Sequence, residues 1–244
     1  MNYLKSEHLK FKRSITNKLT FIIPCMTATF AWLVGGFIGF QYMAFYWWYA
    51  FLLPGTIALF CALSHRKEEA AGNYYSVFSM SINLSRFELA KNMLIIEKLF
   101  CAALFLALLI SISRIISPAA AVYSFLKSVL GSLAIIAASL WQIPLCLYLA
   151  RRVGLFLPIF LNTVLGIFLP TMLGNTALWY FVPHCYAAKL AEPLLGIKLN
   201  GTFAEHAGPS VNILISILLS LVLFLLLSYF DASDFSKGRH IKCA

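Results

Sequence analysis

Residues 211–230 read VNILISILLSLVLFLLLSYF, twenty positions without a single charge. At 1.5 Å rise per residue such a run covers ~30 Å as an α-helix, the hydrocarbon thickness of a bilayer. Lipid offers backbone N–H and C=O groups no partners, so only helices and closed barrels can cross it. Barrel strands would show as alternating segments of ~10 residues, and none occur. Five further apolar blocks recur along the 244 residues. The chain as a whole is 61% hydrophobic and 11% charged, against roughly 25% charged in soluble domains. The expected fold class is therefore an all-α integral membrane bundle.

The blocks predict spans at 19–40, 45–63, 94–116, 125–150, 154–173 and 211–230. Residues 1–18 lead into the first. There Leu4, Phe11 and Ile15 fall on one helical face and Lys5, Lys10, Lys12, Arg13 and Lys18 on the rest, the pattern of an amphipathic interfacial helix near anionic head groups. Its simpler counterpart is a plain basic anchor. The first apolar block starts only near Leu19, is long enough to span and lacks an A-x-A site, so it reads as a span rather than a cleaved signal. Gly35-Gly36 suits close helix approach, Gln41 to Ala44 an outer turn, and Pro54-Gly55 a kink. Tyr42, Phe45, Tyr46, Trp47, Trp48 and Tyr49 suggest an interfacial aromatic belt.

The net charge of +10 could suggest nucleic acid, but the cationic residues sit at the ends of apolar blocks. No basic stripe interleaved with aromatics occurs, so no nucleic-acid partner is expected. Five Lys and Arg fall in 2–18, five in 64–98, two at 151–152 and three in 231–244, fifteen of nineteen. Arg114, Lys127, Lys189 and Lys198 remain for the other side. The positive-inside bias then predicts six spans with both termini cytoplasmic.

Two segments stand out between spans. Residues 64–93, running on to Lys98, form a long polar interruption whose Tyr74, Tyr75, Val77, Phe78, Met80 and Ile82 argue against disorder. A short cytoplasmic docking helix is expected there, a solvated loop being the alternative. Residues 174–210 are too polar to span and too apolar for an ordinary loop. Short helices in or dipping into the outer leaflet are expected, either facing a substrate or forming a plain cap.

No catalytic constellation emerges. His8, His65, His184, His206 and His240 divide between the two sides, and no C-x-x-C pair joins the six cysteines, which read as small buried hydrophobes. Metal ligation is not expected. Glu68-Glu69 resembles the glutamate pair of intramembrane CAAX-type proteases but lacks histidines on neighbouring spans. There is no G-x-x-x-x-G-K-[ST] loop, and the spans are nearly free of ionisable groups, which weakens an ion-coupled transporter.

Particular motifs point further. W-W-Y-x-F-L-L-P-G at Trp47 to Gly55, K-E-x-x-x-x-N-Y at Lys67 to Tyr74, and S-E-H-L-K-F-K-R at Ser6 to Arg13 are the first set. L-W-Y-F-V-P at Leu178 to Pro183 and P-L-L-G-I-K-L-N-G at Pro193 to Gly201 are the second. With the six-span plan they resemble the permease subunits of ABC-2 type exporters, and within these the lantibiotic immunity permeases of the MutE/EpiE (LanE) branch. The resemblance covers nearly the whole chain, and its motifs are structural rather than catalytic. It implies a subunit without enzymatic activity in the plasma membrane of a Gram-positive bacterium, expelling a lantibiotic peptide. ATP and Mg would be bound by a separate ATPase dimer. The second permease would be of the LanG type or another copy of this chain, and membrane lipid would surround both. Lys67, Glu68, Asn73, Tyr74, Phe78, Arg86 and Lys91 are the expected ATPase-docking residues. Trp179, Tyr180, Tyr186, Glu192 and Glu205 are the candidates along the substrate path.

Overall fold

The computed structural model describes residues 3–12, 14–72, 74–79, 81–204 and 208–237. Among them every regular element is helical, with one isolated antiparallel bridge between Ile197 and Phe203. In chain order these are α1 Tyr3–Phe11, α2 Ile15–Trp47, α3 Leu53–Ala70, α4 Tyr75–Ser79 and α5 Leu84–Ile116. They continue with α6 Phe125–Ser139, α7 Gln142–Val153, α8 Phe156–Leu173, α9 Cys185–Leu195 and α10 Val211–Ser236. Four helical stretches are long and apolar enough to cross a membrane, or five if the bent pair α6–α7 is one crossing. The chain is a helical membrane protein.

The first stretch, 15–70, is helical almost without interruption but is not one rod. Phe30 and Trp47 would lie ~25 Å apart on a straight helix, yet their ring centroids are 6.2 Å apart. The reversal sits at Gly36, whose φ of 56° and ψ of −153° suit glycine alone. The turn expected at Gln41 to Ala44 is thus displaced, because those residues are helical. The expected aromatic belt is corrected as well. Phe45, Trp48 and Tyr49 are core residues, and Tyr42 stacks on Phe203 from the far end of the chain.

A π-helical turn over Trp48–Leu52 precedes Pro54, whose missing N–H cannot serve the carbonyl of Ala50. Helix α8 fits into this defect. A Cβ on Gly166 would stand 2.9 Å from Ala50 O, and Asn162 Nδ2 donates to Pro54 O at 2.8 Å. Close backbone approach at small residues is the ordinary mode of helix packing in lipid. Between α6 and α7 the axis bends by 48° at Leu140-Trp141, just before Pro144.

The polar interruption after the second apolar block is mostly helix. α3 continues to Ala70 and α5 begins at Leu84, capped by Asn83 Oδ1, which accepts from Arg86 N at 3.0 Å. Only α4, five residues long, lies between. Helix α1 packs back on α3 and α5 through Glu7 and Phe11, while Leu4 and Ile15 are exposed. Of the cysteines, Cys61, Cys146 and Cys185 are buried as expected, whereas Cys25 and Cys101 are exposed.

Candidate functional site

Helices α1, α3, α5, α7 and α10 bring their charged ends together at one end of the bundle. Lys10 Nζ donates to Glu7 at 2.7 Å and to Glu68 at 2.6 Å. Lys91 lies 3.9 Å from Glu68 and 3.4 Å from Glu88, and Arg151 donates to Glu88 at 2.9 Å. Arg151 also holds Asp231 on α10. Beside this chain, Arg152 pairs with Asp234 at 3.1 Å and His8 with Glu97 at 2.9 Å. Glu7, Glu68, Glu88, Lys91 and Asp231 are each 5% exposed or less. Burying ions costs several kcal/mol apiece unless each is paired, so these contacts hold the five helix ends in one register.

Aromatic rings complete the cluster. Lys91 Nζ lies 4.3 Å above Phe87 and 4.9 Å above Tyr74, and the Arg151 guanidinium is 5.2 Å from Phe235. Phe235 in turn packs on Phe78, Tyr74 and Phe87 at 5.1, 5.6 and 6.1 Å. Tyr74 has a φ of 67°, rare for a residue with a side chain, and is held there by burial. Burial also pushes its phenol well above the usual range, so the hydroxyl stays protonated, and it shares a hydrogen bond with His65 Nδ1 at 2.9 Å.

The expected docking residues are therefore divided. Glu68, Tyr74 and Lys91 face inward, into ion pairs and ring contacts within the chain. Lys67 donates to Lys10 O at 3.0 Å and lies 3.6 Å over Phe11, which fastens α1. Phe78 is half-buried against Phe235, while Arg86 is exposed. Tyr75, 54% exposed, extends outward from α4. Asn73 lies outside the described residues.

At the far end, where short helices in or dipping into the outer leaflet are expected, lies α9. It is an eleven-residue helix sunk among α6, α8 and α10, with Cys185, Leu190, Ala191 and Leu195 fully buried. Its one ion pair, Lys189 to Glu192 at 2.7 Å, closes within a single turn, which lets a polar sequence enter an apolar site. Tyr123 OH donates to Leu195 O at 2.6 Å, and a Cβ on Gly131 would stand 2.8 Å from Leu195 Cδ2. Of the substrate-path candidates, Trp179 and Tyr186 are buried and Tyr180 is exposed, with Trp179 stacked on Tyr180 at 4.1 Å. Glu192 borders a polar cavity of about 410 Å³ with Asn175, Lys198 and Asn200. Glu205 lies outside the described residues.

A neutral node lies between the two ends. Asn162 Nδ2 donates to Gln142 Oε1 at 2.8 Å as well as to Pro54 O, and its Oδ1 accepts from His184 Nε2 at 3.1 Å. Burial lowers the His184 pKa to about 4, so the ring is neutral near pH 7. Among the described residues no three His, Cys, Asp or Glu converge as metal ligands.

Sequence reasoning did not single out Glu7, Lys10, Arg151 or Asp231 as a cluster. The signal was present in the composition. The chain has nine acidic residues, and Glu68, Glu88 and Asp231 each fall close to a cationic flank of another block. No family model, curated protein or solved structure matches the chain.

Proposed function

We propose that this chain is the permease subunit of an ABC-2 type exporter that expels a lantibiotic peptide from the cell membrane and so gives immunity. The observation that carries the proposal is α4, a five-residue helix presented at the charged end between the extensions of α3 and α5. A separate ATPase dimer, binding ATP and Mg, would push there. The chain would then cross six times: the fold-back at Gly36 would divide residues 15–70 into two apolar arms, to which α5, the α6–α7 pair, α8 and α10 would add four.

In this proposal α4 is a lever. Phe78 and Tyr74 pass its displacement to Phe235 at the inner end of α10, and Lys91 and Arg151 pass it to α5 and α7. Helix α10 packs along α9, so its shift reaches the outer cavity beside Glu192. The burial of Trp179, Tyr186 and Glu192 gives them the role of a closed plug rather than a standing peptide surface. Export of another antibiotic, a lipid or a polysaccharide would use the same parts.

The test is co-purification of the ATPase with the Arg86→Glu/Tyr75→Ala double variant, both residues being exposed. Loss of the ATPase with membrane insertion intact is the expected result, together with loss of peptide tolerance in the host. Undiminished ATPase recovery would refute the docking role of α4. Tolerance unchanged on deleting the whole chain would favour a scaffold without a transport path.

A further inference from the structure

A second cavity, of about 380 Å³, opens between α5 and α10 at the charged end. Its walls include Ser85 and Leu89 from α5, and Leu225, Ser228, Ser233 and Ser236 from α10. The two helices run antiparallel, as the stacking of Phe87 on Phe235 requires. Polarity is therefore graded along the groove. Ser85, Ser233 and Ser236 gather at the end of the bundle with Leu89 one turn in from Ser85, while Leu225 lies towards the apolar middle, ~16 Å from Ser236 along α10.

Three further observations bear on the occupant. Ser228 is 3% exposed, lines the cavity, and its Oγ has no hydrogen-bond partner. A buried hydroxyl left alone in a helix interior is uncommon. Arg86 and Lys237, both exposed, follow Ser85 and Ser236 in sequence at the bundle end of the groove. The acids that adjoin the lining in sequence are all paired, Glu88 with Lys91 and Arg151, Asp231 with Arg151 and Asp234 with Arg152. Finally, Ser85 lies in the first turn of the 33-residue α5, where the helix dipole favours an anion.

We propose that this groove binds one anionic phospholipid of the adjoining leaflet, its phosphodiester among the serines between Arg86 and Lys237 and an acyl chain along Leu89 and Leu225. The arrangement matches such a lipid in polarity, in charge and in orientation along the bundle axis. The site is independent of the cargo.

Native mass spectrometry of the full-length protein in detergent tests this, with phosphatidylglycerol and phosphatidylcholine added separately. One phosphatidylglycerol should be retained per chain, with a preference of about tenfold or more from the two cations. Arg86→Gln/Lys237→Gln, a surface pair, should abolish the preference. Ser85→Trp, which blocks the groove, should abolish retention with the thermal melt unchanged. Inorganic phosphate at millimolar concentration should displace nothing. Equal retention of both lipids by the unmodified protein, an intact preference in the Gln variant, or displacement by phosphate would each overturn the proposal. If Ser85→Trp fails to fold, the Gln variant and the phosphate arm decide alone.

Discussion

The charged end and the Asn162 node hold helices together by opposite means. At the charged end Lys10, Glu68, Lys91, Glu88, Arg151 and Asp231 pair across four different helices and a fifth, α1. At the node Asn162, Gln142 and His184 carry no charge and join α7, α8 and the segment before α9 to the carbonyl of Pro54. The difference follows from depth. At the bundle end the network reaches water through Lys10 although its inner pairs are buried, whereas mid-bundle the desolvation cost leaves neutral amides as the economical link. Ion pairs between helices also have discrete alternatives, which suits the end where a lever is proposed; amides locked onto freed carbonyls suit a fixed pivot.

Breaking the charged end should have the largest effect. Glu88→Ala leaves Lys91 and Arg151 buried without their shared partner and should destabilise the detergent-solubilised protein by about 3–5 kcal/mol in denaturant unfolding. Overfilling the pivot comes next. Gly166→Ala sets a methyl against Ala50 O and the Pro54 ring, for an expected loss of about 1–3 kcal/mol by the same measurement. Asn162→Ala should cost a similar or smaller amount, about 1–3 kcal/mol, by leaving the Pro54 carbonyl and Gln142 unpaired. Equal losses for Glu88→Ala and Asn162→Ala would erase the distinction between the two regions.

Acidity sharpens the comparison from another side. The His184 pKa is lowered to about 4 in the fold, against about 6.5 when unfolded, so the unfolded chain binds the proton first. Its contribution is complete above pH 6.5 and is lost as the pH falls towards 4. Replacing it by glutamine should flatten that part of the stability profile relative to the unmodified protein. The smallest change is Tyr74→Phe, which removes the hydrogen bond to His65 for about 1 kcal/mol.

The long apolar blocks and the helical class were legible because they depend on local composition. Residues 211–230 need no partner to declare themselves. The reversal at Gly36 was less so, because a Gly-Gly pair reads equally as a packing site and as a turn. The depth of helix α9 was not legible, because Lys189 and Glu192, three residues apart, neutralise each other and can be buried, which composition alone does not reveal. The charge cluster was hidden for a different reason. Lys67, Glu68 and Lys91 were recognised as a group, but Lys67 and Glu68 are turned by Lys10 and Phe11, more than 50 positions away, and the Glu88 beside Lys91 is held by Arg151. The docking residues were consequently assigned to one surface, when three of them point inward.

A double-mutant cycle on Glu88 and Arg151 most directly tests whether buried ion pairs bind the helix ends into one unit. Unfolding free energies of Glu88→Gln, Arg151→Met and the double variant should be non-additive by about 1.5 kcal/mol or more, and this coupling should persist in high salt. Additivity within about 0.5 kcal/mol, or a coupling that salt removes, would contradict it.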